Sequence, residues 1–69
     1  AKKDFLGSVD YLTKATQYHP TSSAAWHNLA NAQGAAGKLQ DARLSAKKAI
    51  SLASESETHL YQESLKEFF

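Results

Sequence analysis

A chain of 69 residues buries one thin layer of packed helices and little more, so its core is marginal by size alone. It has no cysteine, which excludes disulfides and thiolate metal sites, and its formal charge of +1 comes from interspersed lysines and acids that leave no basic footprint for nucleic acid or an anionic membrane surface. No apolar run approaches the roughly 20 residues that span a bilayer, and the opening Ala1-Lys2-Lys3-Asp4 lacks a signal-peptide core, so the chain reads as a soluble segment with the cytoplasm as its favoured compartment. A start in mid-pattern suggests a piece of a longer protein.

Glycine and the lone proline punctuate the sequence into four helical stretches. The first spans about Asp4 to Tyr18, with Phe5, Val9, Leu12 and Ala15 on one face; Pro20 ends it and pushes His19 out of helical geometry. The second opens behind Thr21, Ser22 and Ser23, all suited to capping a helix start, and repeats Ala25, Trp26, Leu29, Ala30 and Gln33 at helical spacing. Gly34 weakens its last turn, and Gly37 suits the left-handed residue that closes it.

The third stretch, about Leu39 to Ala53, sets Leu39, Ala42, Ala46, Ala49, Ile50 and Ala53 along a narrow stripe whose small residues imply close packing. The fourth, about Glu57 to Phe68, follows serines that can cap it and acids that favour a helix N-terminus; Leu60, Tyr61, Leu65 and Phe68 form its apolar stripe.

Helices joined this closely form antiparallel hairpins, and residues 34 apart correspond. Phe5 meets Leu39, Ser8 meets Ala42, Leu12 meets Ala46, Ala15 meets Ala49 and Tyr18 meets Leu52, while Trp26 meets Leu60 and Asn28 meets Gln62. Val9 against Arg43 and Leu29 against Glu63 break the match. A plain four-helix bundle would show the same stripes but has no reason to show the period.

A helix-turn-helix unit of this period resembles the tetratricopeptide repeat. Trp26, Leu29 and Ala30 stand where that family has its tryptophan, leucine and following small residue, with Gly37 at the turn and Ala42, Ala49, Ile50 and Leu52 at second-helix positions. Gln33, Arg43, Ala46 and Ser54 depart from the family's aromatic, aliphatic and proline types. The resemblance implies an all-α fold of four helices, antiparallel hairpins stacked as a right-handed superhelix. It divides the chain into 3–22 as the second half of a preceding repeat, 23–56 as a complete repeat, and 57–69 as a capping helix or the first helix of a next repeat. In that last helix a register shifted by one places Tyr61, Leu65 and Phe68 in the core.

No catalytic chemistry is legible. His19, His27 and His59 are never three or four residues apart, so they do not form a helical metal pair, and they read as surface histidines. The acids lie mostly at helix starts and solvent faces, no G-x-S-x-G elbow or phosphate-cradling glycine run occurs, and Gly34-Ala35-Ala36-Gly37 is a turn. Neither cofactor nor metal is expected, and the chain is expected not to be an enzyme.

The resemblance implies a protein-interaction scaffold with a groove lined by the first helix of each pair. Because Trp26, Leu29, Ala30 and Gln33 face the core, the opposite face carries Ala24, His27, Asn28 and Asn31, the groove candidates for a peptide or protein partner. Asn28 and Asn31 resemble two asparagines of the carboxylate clamp with which some members hold acidic tails, but Ala24 and His27 stand where that clamp favours cations, so clamp binding is not expected. A second reading is self-association through terminal helices left uncovered, with Phe5, Val9, Leu12 and Phe68 as the candidate surface of a homo-oligomer.

Overall fold

The computed structural model describes residues 5–68, apart from the side chains of Phe5, Leu6 and Glu67. Four helices, α1 (Phe5–Tyr18), α2 (Ser23–Ala35), α3 (Leu39–Leu52) and α4 (Glu55–Leu65), are followed by a 3₁₀ turn at Lys66–Phe68. Consecutive helices pack as antiparallel hairpins, and α2 also meets α4, giving the all-α architecture that the resemblance implies. The body measures 37 × 26 × 21 Å, too thin in two directions for a side chain to lie far from solvent. No helix among the described residues is long and apolar enough to cross a membrane.

Local chemistry sets the helix ends. Ser22 caps α2 by accepting a hydrogen bond from the Ala25 amide at 3.3 Å. Gly37 follows with φ of +84°, a left-handed conformation that a side chain resists, and the Lys38 amide reaches back to the Gln33 carbonyl at 2.8 Å. Helix α4 begins at Glu55, two residues before the expected Glu57, because Ser54 is its cap. The Ser54 hydroxyl accepts from the Glu57 amide at 3.4 Å while the Ser54 amide donates to Glu57 Oε1 at 3.1 Å, a reciprocal capping box.

The core is one cluster of Ala30, Ala42, Ala46, Ala49, Leu65 and Phe68, with Trp26 and Tyr61 packed against it. Four of its members are alanines. Small residues on α2 and α3 let the helices approach closely and leave room for Leu65 and Phe68 to enter from the C-terminal segment. Ala46, where the family favours an aromatic, is fully buried in this cluster, so the volume is filled from α4 instead. Gln33, where the family favours tyrosine, is buried and accepts a 2.6 Å hydrogen bond from the Ser45 hydroxyl, which satisfies two polar side chains between α2 and α3.

Four expectations need correction. Leu39 and Leu60 are not in the core: they are 59% and 63% exposed. Leu60 turns outward because α4 adopts the shifted register that buries Leu65 and Phe68 and half-buries Tyr61. Trp26 is only half-buried, its indole Nε1 donating to the Pro20 carbonyl at 3.0 Å over the α1–α2 connection. Gly34 is not merely a weak point of α2, because the Phe68 ring lies against it so closely that a Cβ there would stand 2.5 Å from Cε1 and Cζ.

Candidate protein-interaction site

The α2 face opposite the core carries Ala24, His27, Asn28 and Asn31, and α4 runs beside it. Ala24, Asn28 and Asn31 are exposed; His27 is half-buried because α4 covers it. The imidazole stacks on the Tyr61 ring with centroids 4.5 Å apart and planes 14° from parallel, a geometry in which both rings keep one edge toward solvent. Its Nε2 lies 2.9 Å from the Ser64 hydroxyl, a second bond across the α2–α4 seam. Asn31, one turn further along α2, directs its amide nitrogen to the His27 carbonyl at 3.2 Å and to Nε2 at 3.4 Å.

Two of the four groove candidates, His27 and Asn31, are therefore tied to each other and, through His27, to α4. The other two, Ala24 and Asn28, stay apart from that network, and Asn28 makes no side-chain hydrogen bond among the described residues. Tyr61 and Ser64 belong to the same surface and were not singled out for it. A period of 34 places α4 beside α2, but which ring meets which depends on the one-residue shift in α4.

A further link crosses at the helix starts. The Ser23 hydroxyl donates to Glu57 Oε1 at 3.3 Å, joining the first residue of α2 to the third of α4. Glu57 thus holds the start of its own helix and the start of α2 with one carboxylate oxygen. The α2–α4 face is pinned at its beginning by this link and at its middle by the His27–Tyr61 stack.

Of the self-association candidates, Val9 and Phe68 are covered within the chain, at 8% and 6% exposure, and so do not form an uncovered surface. Phe68 is held on Gly34, and its carbonyl accepts from Arg43 Nε at 2.8 Å. Leu12 is half-buried, and the side chain of Phe5 lies outside the described residues. The large apolar side chains that stay exposed are others: Tyr11, Tyr18, Leu39, Leu44 and Leu60. Among the three histidines, His19 and His59 are exposed on α1's trailing connection and on α4, and no three metal-binding side chains come together among the described residues.

Residues 11–44 match the family model described as tetratricopeptide repeat, a window that takes in the end of α1, all of α2 and the start of α3 with Pro20, Trp26, Leu29, Ala30, Gly37 and Ala42. No curated protein and no solved structure matches the chain. Hairpin geometry and the family match agree that residues 11–44 carry a tetratricopeptide repeat, a helical-repeat module of protein–protein interaction.

Proposed function

We propose that the α2–α4 face forms part of a groove that holds an extended segment of a partner protein. The observation that carries this reading is the side-by-side seating of α2 and α4, tied by the His27–Tyr61 stack, with the exposed Asn28 and Asn31 amides on α2 beside it. An asparagine amide offers two donors and an acceptor, which suits a peptide backbone, and the stacked rings suit an apolar side chain of the guest. The chain binds and does not catalyse. In this reading residues 3–22 are the second half of a preceding unit, 23–56 a complete unit, and 57–69 the first helix of a next one.

Electrostatics narrow the guest. The face carries no lysine or arginine among Ala24, His27, Asn28 and Asn31, and Glu57 brings a carboxylate to the start of α2, so a strongly acidic tail is disfavoured and a neutral or mildly basic segment preferred. The test is a peptide-array screen followed by titration calorimetry with the best neutral, basic and acidic sequences. Asn28→Ala leaves the helix seam intact and should weaken binding about tenfold, the scale of losing one charge-free but well-seated contact pair. Binding that is unchanged in both Asn28→Ala and Tyr61→Ala, with helicity preserved, would move the site off this face.

A further inference from the structure

We propose that a hollow between α1, α2 and α3 receives an arginine side chain of a partner protein. It lies on the far side of α2 from Asn28 and Asn31 and uses none of the groove's residues.

Helices α1 and α3 both pack on α2 but hardly touch each other, so a cleft of about 320 Å³ stands open between them with α2 as its floor. Its lining runs from Thr13 to Ser45, so all three walls come from the interior of the chain. Trp26 and Gln33 belong to the floor. A tyrosine, the family's residue at the position of Gln33, is bulkier than glutamine and would narrow this space, so the hollow is a property of this sequence and not of the repeat in general.

The lining is rich in acceptors. Thr13 gives its hydroxyl proton to the Val9 carbonyl at 2.7 Å, Thr16 to the Thr13 carbonyl at 2.7 Å, and Ser45 to Gln33 Oε1 at 2.6 Å. A hydroxyl has one proton, so toward a guest each of these three oxygens can only accept. Asp41 adds a carboxylate, the one charged group of the lining, and its side chain makes no ion pair or hydrogen bond among the described residues. The remaining donors are the neutral amides of Gln17 and Gln33. Trp26 offers ring carbon, because its Nε1 is turned to the Pro20 carbonyl, and Leu44, 66% exposed, stands at the rim.

A guanidinium answers each of these features. It carries five donors and no acceptor, pairs with a carboxylate through two parallel bonds and stacks on an aromatic ring, while its methylene stem covers a leucine. An ammonium meets the charge of Asp41 but is more strongly hydrated and does not stack. A carboxylate would face Asp41 and a set of acceptors. Asp41 also sits in the first turn of α3, where an acid stabilises the helix start. That role accounts for the charge but not for the cleft or the hydroxyls beside it.

Trp26 is the chain's single tryptophan, so its indole N–H gives one resolved NMR signal at the floor of the hollow. Titrating the 69-residue chain with acetyl-Gly-Arg-Gly-amide should move that signal and the Thr16 and Gln33 backbone amides along one saturating curve. The lysine peptide and the citrulline peptide, alike in shape to arginine but uncharged, should each bind about tenfold more weakly, and the glutamate peptide should move nothing. Asp41→Asn should weaken the arginine peptide about tenfold, and Gln33→Tyr should do the same by narrowing the hollow. Circular dichroism checks that both keep their helices; where Gln33→Tyr does not, the exposed change Asp41→Asn decides alone. Asn28→Ala should leave the titration as it was, which separates this site from the groove. Absence of shifts with the arginine peptide up to about 50 mM, equal binding of arginine and citrulline, or unchanged binding in Asp41→Asn would each overturn the proposal.

Discussion

The Phe68 ring rests on the backbone of Gly34, in the place where any other residue would put its β-carbon. The contact ties the last turn of the chain to the last turn of α2 and makes the glycine a packing requirement.

Replacing Gly34 therefore reverses the usual sign of a helix substitution. Alanine normally stabilises a helical position by up to about 1 kcal/mol over glycine. Here it must displace a ring whose burial contributes about 1.5 to 3 kcal/mol. Gly34→Ala should lower stability by roughly 1 kcal/mol in chemical denaturation. In a Phe68→Ala background the same change should become stabilising, and two additive effects would show that ring and glycine do not meet.

Gly37 makes a different prediction, because nothing lies within 4 Å of a Cβ built there. The penalty for Gly37→Ala is then one of backbone conformation alone, about 1 to 2 kcal/mol, with Gly37→Asn costing less. Equal melting temperatures for the alanine and asparagine variants would contradict this.

Trp26 should behave as a half-buried residue with a polar handle. Trp26→Phe retains most of the packing and loses the bond to the Pro20 carbonyl, so it should cost about 0.5 to 1 kcal/mol, the low end for a neutral hydrogen bond near solvent. Fluorescence emission from the native indole should lie between that of buried and free tryptophan. Emission at the fully buried wavelength would place the indole deeper than this.

Ser54, Glu57 and Ser23 form a connected set. Ser54→Ala should cost about 1 kcal/mol through the lost cap. A double-mutant cycle on Ser23→Ala and Glu57→Ala should return a coupling of about 0.5 to 1 kcal/mol, measured by urea denaturation. Zero coupling would mean that α2 and α4 are held together without that bond.

Much of the fold was legible because its punctuation is chemical and local. Pro20, Gly37 and Ser54 end or start helices through properties of one or two residues, and the alanine stripe of α3 announces close packing. The period of 34 then supplied the pairing of helices. What escaped notice depends on partners far along the chain. Periodicity gives an angle around a helix axis, not the neighbour that fills it, so Leu39, at the first residue of α3, and Leu60, in a helix whose register is shifted, read as core although both are exposed. The Gln33–Ser45 bond replaced an aromatic contact with a polar one, and the role of Gly34 followed from a ring 34 residues downstream. For the site, the exposed face of α2 was readable from the residues facing away from the core. The occupation of His27 by Tyr61 and Ser64 was not, since it required knowing which ring of α4 comes alongside.

The hydrogen bond from Ser23 to Glu57 has a direction: α2 donates it and α4 accepts it. A tandem duplicate of residues 23–56 would set serine opposite serine, and would also remove the carboxylate that holds the Ser54 amide. Helices α2 and α4 are consequently not interchangeable. Their order is marked in side-chain chemistry as well as in the covalent thread, with the hydroxyl donor on α2 and the carboxylate acceptor on α4.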